Sequence, residues 1–506
     1  MVYGPKWAVI GRAWLRLLSS TAFVAILFCA SMARAESRGK KDPETFEYTS
    51  PTQKNYLRAI LELEALTTVS VVWYVIAVRQ GGDVGYRWQT FERKLSGKAI
   101  AFDDNAFGTN FHGHGVGGNA YYLSARSNHL GIGESFGYAV AGAVLWEYFG
   151  EISEIVSVND LIVTPLSGIT IGEPLTQLGA YFDRQRPTLV NRVLGATFGP
   201  IKTANDALDG ATLSRASGPE DEWHRFVFSG AATVTRKEVS ALTRSVEHRD
   251  GMRFELSERL ARLRGYDGAA QRAEWFDDGN LSSLSVRAAF GHRGLEDFAL
   301  AADVVPFGYF SRSARRLPGG GLRGGGFVVG FEMGYRYLLH DYGGQPQSSL
   351  DRAAFVQPVG AMFEYRAALG AVSLTSKLDA AAAFGGVHPI ALDAHGSDRS
   401  DLASVLQNKS YYFAAGGQLE AALTLRWGQL EADGSLLARR FASVDPHVSQ
   451  TIEDSWRRFQ CGVGIQMQPA WMLRAFADDV LRAGRLGSAR STAHERGAGL
   501  EVRSSF

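Results

Sequence analysis

Long segments of alternating side chains constrain this chain more than any other feature of its sequence. From Phe327 to Tyr337 every odd position is apolar or aromatic, whereas the even positions include Glu332 and Arg336. Because successive side chains of a β-strand point to opposite faces, this segment has one apolar face and one partly polar face. The segment from Tyr411 to Trp427 repeats the pattern and is long enough to cross an outer membrane at a tilt.

The same alternation recurs through the second half of the chain. It is present at 359–369, at 372–384 and at 498–506, and about twelve such segments begin near residue 224. A soluble β-sandwich also has alternating strands, but the strand length and the acids and bases that share the polar face favour a membrane barrel. The sequence therefore predicts an α+β membrane protein, in which an N-terminal helical domain precedes an antiparallel transmembrane β-barrel of about 12 strands at 222–506.

Aromatic residues near the strand ends and charged residues within the strands refine this prediction. The aromatic residues are predicted to form girdles at the membrane interfaces: Tyr335, Tyr337, Tyr411, Tyr412, Trp427, Trp456 and Trp471. Side chains of both charge signs, such as Glu364 and Arg366, should line the lumen. They predict a closed or nearly closed barrel.

Both termini carry signals of export and assembly. Residues 1–35 contain four basic residues, no acid and a short apolar run before Ala33-Arg34-Ala35, a pattern typical of a cleaved signal peptide. The polar segment 36–52 is predicted to be a flexible leader. The last strand resembles the C-terminal signal that the bacterial barrel-assembly machinery recognises, with Phe506 as its terminal aromatic residue. We therefore expect an outer-membrane location, with membrane lipid and that machinery as partners.

Composition excludes several classes of function. Removal of the four basic residues of the signal peptide leaves 49 basic against 52 acidic side chains, so no nucleic-acid partner is expected. Only Cys461 would remain in the mature chain, which excludes an intramolecular disulfide. The sequence indicates no cofactor.

The region 53–205 is predicted to be helical. One helix is expected from Gln53 to Arg79, buried within protein because it is too short to span lipid. A second is expected from about Glu134 to Glu154, with small residues in its first part and Glu147, Glu151 and Glu154 along one face of its second part.

A set of separated clusters in this region carries a family resemblance. The residues are Asn110, His114, Tyr121, Tyr122, Arg126, Trp146, Glu147, Asn159, Asp160, Pro165, Gly172 and Glu173. Across roughly residues 95–185 they resemble the bacterial envelope family known as domain of unknown function 3943. Members of that family usually have His-Pro where this chain has His114-Gly115. The resemblance implies an envelope protein, but no reaction, because the family has no established activity.

Three interpretations of these polar residues stay open. His114, Glu147 and Asp160 are candidate catalytic residues, and His112, His114 and Glu151 are candidate metal ligands. Alternatively, Glu147, Asp160 and Glu173 accept hydrogen bonds from buried amides or from Arg126 as internal supports. A third possibility is a polar surface that contacts an envelope protein partner.

Two functions follow from these interpretations. The first is a structural component of the envelope, or a plugged or gated conduit in which the helical domain controls the lumen. The second is an envelope hydrolase, lipid-directed or metal-dependent, that uses His114, Glu147 and Asp160. The sequence leaves open whether the protein is an enzyme. Gly133-Glu-Ser135-Phe-Gly137 has the Gly-x-Ser-x-Gly spacing of a nucleophile motif, but Ser135 is expected to cap the start of a helix, and the sequence contains no metalloprotease helix.

Overall fold

The structure is a computed structural model. It describes residues 46–49, 53–74, 76, 88–151, 154–215, 223–240, 244–342, 351–396, 399–400, 402–446 and 448–505. The predicted signal peptide 1–35 and the predicted assembly residue Phe506 lie outside these ranges.

The first part of the described chain is mainly helical. Its helices are α1 (Tyr56–Trp73), α2 (Trp88–Leu95), α3 (His114–Arg126), α4 (Ile132–Leu145), α5 (Val158–Asp183), α6 (Leu189–Phe198) and α7 (Pro200–Leu208). Strand β1 (Phe46–Thr49) pairs with β4 (Thr212–Arg215), and β2 (Ile100–Ala101) pairs with β3 (Val156–Ser157). Part of the segment predicted as a flexible leader, 46–49, is thus a paired strand.

Two π-helical turns interrupt the regular helices. Thr109–Gly113 leads into α3, and Trp146–Gly150 continues α4. The second turn ends at Gly150, so the helical face predicted to carry Glu147, Glu151 and Glu154 stops before its last member. π-Turns are rare and occur often at functional sites.

Small residues let α3, α4 and α5 approach one another closely. A Cβ atom at Gly118 of α3 would overlap the carbonyl oxygen of Thr164 in α5, and one at Gly142 of α4 would overlap the Tyr121 ring. A Cβ at Gly172 would overlap the ring of Tyr122. The small-residue run predicted to permit close helix packing therefore does so.

The second part of the chain is a closed antiparallel barrel. Its strands are β5 (Trp223–Ser240), β6 (Arg244–Ala261), β7 (Ala270–Phe276), β8 (Leu281–Gly291), β9 (Gly294–Arg316), β10 (Leu322–His340), β11 (Asp351–Gly370), β12 (Val372–Val387), β13 (Tyr412–Trp427), β14 (Leu430–Ser443), β15 (Ile452–Gln468), β16 (Trp471–Leu486) and β17 (Ala489–Ser505). Two short helices, α8 (Leu392–His395) and α9 (Ser404–Lys409), connect β12 to β13.

The wall has twelve strand positions, as the sequence predicts. Strand β17 pairs with β5, and β9 pairs with β10, which closes the sheet. Strands β7 and β8 both pair with the same side of β9, β7 with residues 308–314 and β8 with residues 294–305. They form one interrupted strand, and its break at 277–280 contains Gly279 with a φ of +61°.

The two faces of the wall follow the predicted alternation. On β10 the even residues, such as Glu332 and Arg336, point into the lumen, where Arg336 pairs with Asp303 of the neighbouring strand β9 at 2.6 Å. The odd residues point outward. The exposed outward side chains include Val329, Phe363, Leu378, Leu419, Leu423, Val463, Leu473 and Val502. Such an apolar belt suits contact with lipid.

The lumen is closed at both ends by segments of the barrel itself. At one mouth, Tyr266, on the segment between β6 and β7, packs on Phe310 and donates a hydrogen bond to Glu364 at 2.7 Å. At the other mouth, α8 and α9 cover Phe355 and Trp456. Trp456, predicted to lie in an interfacial girdle, is therefore inside the lumen.

Ion pairs line the wall of the lumen between the two mouths. Arg458 on β15 pairs with Asp478 on the neighbouring strand β16 at 2.5 Å, and Arg474 on β16 pairs with Glu501 on β17 at 3.0 Å and also with Asp433. A cavity of about 390 Å³ remains in the lumen, with Arg458 and Asp478 in its lining.

The helical part packs on the outer wall of the barrel. Outward side chains in one half of β10–β13 are covered, so Tyr335 is 2% exposed and Phe413 is 0% exposed. In the other half of the same strands, Val329 and Leu423 are 42% and 51% exposed. The covered residues join a hydrophobic core with Phe111 and with helices α3–α5.

This cover corrects two sequence predictions. Tyr335 and Tyr411 are not girdle residues, because helical side chains bury them, whereas Trp427 is 69% exposed. Helix α1 is not enclosed by protein, because it packs on α3 and α4 through one face and exposes the other. No helix in the described ranges is both long enough and apolar enough to cross a membrane.

Candidate functional site

The predicted site residues separate into two buried clusters at the interface between helices and barrel. We call the first the His114 cluster; it comprises Asp103, Asn110, His114, Asn159, Asp160 and Thr164. We call the second the Glu173 cluster; it comprises Tyr122, Arg126, Glu173, Gln177 and Asp278. Asp160 and Glu173 lie on the same helix, α5, thirteen residues apart, so about 20 Å of helix separates the clusters.

Local structure places the residues of the His114 cluster. Asn110 lies in the π-helical turn before α3, and His114 is the first residue of that helix. Asp160 lies in the first turn of α5, where its backbone N–H donates to the N-cap side chain of Ser157 at 3.2 Å. An acidic residue is favoured near a helix N-terminus, because unpaired N–H groups and the helix dipole stabilise negative charge there.

Side-chain amides connect the carboxylates of this cluster to the barrel. Asn110 Nδ2 donates to Asp103 Oδ1 at 2.6 Å and to the Tyr411 hydroxyl of the barrel at 3.0 Å. Asn159 Nδ2 donates to Asp160 Oδ1 at 2.9 Å, and its Oδ1 accepts from the backbone N–H of Asp103 at 3.1 Å. The cluster therefore fixes both helix ends against the strand that begins at Tyr412.

His114 lies between Thr164 and Asp160. Its Nδ1 is 3.3 Å from Thr164 Oγ1, and its Nε2 is 3.3 Å from Asp160 Oδ2. Burial lowers the pKa of His114 to about 4. Burial, followed by the charge of Asp103, raises the pKa of Asp160 well above its usual range. Burial thus disfavours the charged form of both groups, so their contact is a polar one and not a strong ion pair.

Glu147 lies beside this cluster, in the π-helical turn that continues α4. Its Oε2 accepts a hydrogen bond from the backbone N–H of Ser157 at 2.6 Å, while its Oε1 accepts none from the described residues. Burial, followed by the charge of Glu151, raises the pKa of Glu147 to about 8. Lys94 does not neutralise it directly, because its Nζ donates to the backbone carbonyls of Glu147 and Glu151.

The Glu173 cluster combines two carboxylates with Arg126, and Arg262 supplies a second cation 3.3 Å from Asp278 and 3.9 Å from Glu173. The Glu173 carboxylate accepts from Tyr122 at 2.6 Å, from Arg126 Nε at 2.9 Å and Nη2 at 3.0 Å, and from Gln177 at 3.2 Å. Arg126 Nη2 also donates to Asp278 at 2.8 Å, in the break between β7 and β8. A buried carboxylate with this many donors is satisfied.

The break in the wall is where the helices attach. Gln177 donates to the carbonyl of Gly279 and accepts a hydrogen bond from the outward hydroxyl of Ser282 at 2.9 Å. A Cβ at Gly279 would press on Ile132 and Glu173, so this position also requires glycine for close approach. The interruption of the strand thus provides a socket for α5.

The remaining motif residues support packing. Tyr121 lies over Gly142, and Tyr122 lies over Gly172. Trp146 packs edge-on against Tyr74 at 5.9 Å. Pro165 lies within α5 directly after Thr164, whose carbonyl approaches Gly118. These residues hold the helices together and bear no reactive group near the clusters.

The candidate metal ligands do not converge. His112 is solvent-exposed beside Tyr337, with ring centroids 6.4 Å apart, whereas His114 is turned toward Asp160. Within the described ranges no group of three or more His, Cys, Asp or Glu side chains is arranged to hold a metal ion. His114 and Asp160 form a pair of proton-transfer groups, whereas the described residues form no set of metal ligands.

Comparison with known proteins identifies this helical region. Residues 99–201 match the family described as "Domain of unknown function (DUF3943)". The DUF3943 segment therefore begins at the β2 strand, contains both clusters' helical residues and ends in α7. No curated protein sequence matches the chain significantly.

Similar solved structures match the chain at low identity. The Pseudomonas putida toluene transporter TodX is 9% identical, with a TM-score of 0.21, over 57% of this chain and 91% of that one. A Pseudomonas aeruginosa FadL homologue is 8% identical, with a TM-score of 0.22, over 56% and 90%. Outer membrane phospholipase A from Escherichia coli is 10% identical, with a TM-score of 0.22, over 54% and 89%. Similarity this low carries no information about activity.

Several residues of the two clusters escaped the sequence analysis. Asp103, Thr164 and Tyr411 complete the His114 cluster, and Gln177 and Asp278 complete the Glu173 cluster. Gln177 could have been found, because it follows Glu173 by one helical turn. Tyr411 and Asp278 join through tertiary contact with distant parts of the chain, for which the local sequence carries no signal.

Proposed function

We propose that this protein is a structural component of the outer membrane, in which a closed barrel anchors a DUF3943 segment to its outer wall. The observation that carries the proposal is the burial of outward barrel side chains under the helices. Phe111 is fully buried and packs against Tyr411 and Phe413, with ring centroids 5.9 and 6.5 Å apart. The Tyr335 hydroxyl donates to the Phe111 carbonyl at 2.7 Å.

A conduit gated by the helices has less support. The described helical residues contact outward side chains and do not enter the lumen, which is closed by Tyr266 at one mouth and by α8 and α9 at the other. Arg474, with Asp433 and Glu501, adds paired charged side chains to the wall of the lumen between the mouths. Release of the helices from the wall should therefore open no path through the barrel.

The location follows from the same geometry. The exposed apolar belt of the barrel supports insertion in the outer membrane, with lipid as its surroundings. Export by a signal peptide at 1–35 and recognition of the strand ending at Phe506 by the barrel-assembly machinery complete the proposal. A partner protein of the envelope would bind the exposed helical surface.

Two variants of the full chain test the anchoring role. Phe111→Asp places a charge in the buried contact, whereas Phe149→Asp changes a phenylalanine that is 55% exposed on the same region. We expect Phe111→Asp to make the helical region sensitive to trypsin while the barrel keeps its heat-modifiable mobility. Phe149→Asp should stay protected, as should the wild type. Protection of Phe111→Asp would contradict the proposal.

Planar-bilayer recordings test the closed lumen. We expect no steady conductance from the wild type or from Phe111→Asp, because the barrel's own segments close it. Replacement of 263–269 and 391–409 by short Gly-Ser linkers provides the open control. Conductance that appears in Phe111→Asp alone would instead support a conduit gated by the helices.

A hydrolase that acts through His114, Glu147 and Asp160 is the competing proposal. The favouring observation is the line from Thr164 Oγ1 through His114 to Asp160, which resembles a nucleophile, a base and an orienting acid. The burial of Thr164 and Asp160 opposes it, because a substrate must reach the reacting atoms. Fatty-acid release from phosphatidylethanolamine vesicles, lost in Asp160→Asn with the fold intact, would favour the enzyme.

A further inference from the structure

Helix α1 exposes a long apolar face. Leu57, Leu61 and Val69 are 68%, 61% and 67% exposed, and Val72 extends the face beyond them. Spacings of three or four residues place Leu57, Leu61, Glu64, Thr68 and Val72 along one side of the helix, so this side is mainly apolar and includes one carboxylate. A helix of a soluble protein normally presents charged and polar residues on the side that faces water.

The opposite face of α1 is occupied. Ala59 packs with Ala125 and Leu130, and Leu63 joins the core formed by the helices and the outer wall. Arg58 points to the side, where its guanidinium donates two hydrogen bonds to Asp209 at 2.7 and 2.8 Å. Of the exposed positions from 56 to 72, only Glu64 is charged. The hydrophobic core therefore lies against the opposite face of α1 and does not account for the exposed apolar residues.

The position of α1 indicates what meets this face. Helix α5 lies on the outward side of the barrel wall, α3 and α4 lie on α5, and α1 lies on α3 and α4. The face of α1 that points away from these helices therefore points away from the barrel axis, as the outward side chains of the barrel do. On the uncovered strands, those side chains form the apolar belt that includes Leu423 and Val463.

We propose that the exposed face of α1 contacts the acyl chains of the membrane and continues the lipid-facing belt of the barrel. This proposal rests on the barrel's insertion in a membrane, as given under Proposed function. With 18 residues, α1 is about 27 Å long, and it does not need to span the bilayer as an isolated helix, because α3 and α4 cover its other side. The DUF3943 segment would then be embedded beside the barrel and not held in the periplasm.

Single-cysteine variants of the full chain test the contact. In a Cys461→Ser background, Leu61→Cys and Val72→Cys report on the α1 face, Leu423→Cys reports on the barrel belt, and Gln407→Cys on α9 reports on water. Each is labelled with an environment-sensitive fluorophore and reconstituted in phosphatidylcholine vesicles. Quenching by brominated phosphatidylcholine and by aqueous iodide is then measured.

We expect the two α1 labels to lose fluorescence to brominated lipid to the same extent as Leu423→Cys, and to resist iodide. Gln407→Cys should show the reverse. If only the α1 labels respond like Gln407→Cys, the lipid contact is refuted while the membrane barrel stands. If the α1 labels resist both quenchers, protein covers the face, and the inference is also wrong. If Leu423→Cys itself escapes brominated lipid, the proposed function fails first.

Discussion

The two buried clusters of the DUF3943 segment lie on one helix and differ in how their charges are balanced. Glu173 accepts four hydrogen bonds, two of them from the guanidinium of Arg126. Asp160 accepts one hydrogen bond, from Asn159. Among the described residues its only basic contact is His114, and burial lowers the pKa of that histidine to about 4. Glu173 and Asp160 are equally buried, but only Glu173 contacts a permanent cation, so burial affects the two carboxyl groups in opposite ways.

This difference separates structural support from possible chemistry. A buried carboxylate paired with arginine stays charged and fixed in position, which suits the attachment of α5 to the socket at Gly279. A buried carboxyl group without a permanent cation takes up a proton, which is how active sites and proton relays obtain shifted pKa values. We therefore expect substitutions in the Glu173 cluster to affect folding most, and those in the His114 cluster to affect proton binding.

The largest effect is expected from Arg126→Gln. The substitution removes two hydrogen bonds to Glu173 and the contact with Asp278, and it leaves Glu173 with only the more distant guanidinium of Arg262, at 3.9 Å. The free energy of unfolding of the helical region should therefore fall by about 3–5 kcal/mol. Urea unfolding in detergent micelles, followed by circular dichroism at 222 nm, measures it. Arg293→Gln removes an exposed pair with Glu247 and should change stability by less than about 0.5 kcal/mol. Equal stabilities of the two variants would show that the Glu173 cluster is not a clamp.

Gly118→Ala should damage the His114 cluster selectively. Its added Cβ would overlap the carbonyl of Thr164, so α5 must move away from α3 at the end that carries Asp160. We expect a loss of about 3 kcal/mol, the upper part of the range for overpacked cores. Gly117→Ala is the matched control, because nothing lies within 4 Å of its added Cβ. The same unfolding measurement distinguishes them, and a neutral Gly118→Ala would contradict the close packing.

The comparison also shows which parts of the fold the sequence could predict. The alternation around Phe331 and Leu423 predicted the strands, their faces and a twelve-strand wall, because the period of two is a local property. The same alternation continues through Tyr335 and Phe413, which helices cover. A local pattern shows which way a side chain points, but not which part of the chain lies over it.

The candidate site divides in the same way. The sequence identified Arg126, Glu147, Asp160 and Glu173 as buried polar residues, because such groups need partners in any packed structure. The sequence did not show that Arg126 contacts Glu173 and not Asp160. That choice depends on the phase of α3 against α5, which the close contact at Gly118 sets.

A pH dependence should distinguish the two clusters further. The pKa of Glu147 is raised from 4.5 to about 8, so between these values the folded protein holds a proton that the unfolded chain has lost. Stability must then fall as pH rises through this window, by about 2 kcal/mol between pH 6 and pH 8. Glu147→Gln removes the titrating group and should flatten this decline, while Glu92→Gln, at an exposed position of α2, should keep the wild-type slope. Urea titrations at pH 6, 7 and 8 give the slopes. An unchanged slope in Glu147→Gln would show that Glu147 does not titrate there.

The smallest effect is expected from Asp160→Asn. Burial and the charge of Asp103 raise the pKa of Asp160 well above its usual range, so the charged form is disfavoured and a neutral amide of the same shape replaces the side chain closely. We expect the free energy of unfolding at pH 7 to change by less than about 1 kcal/mol, because no ion pair is lost. Glu173→Gln is the matched change in the other cluster and should cost at least about 3 kcal/mol, since it leaves Arg126 buried beside a neutral group. If Asp160→Asn lost more stability than Glu173→Gln, His114 and Asp160 would form a true ion pair, and the contrast between the clusters would disappear.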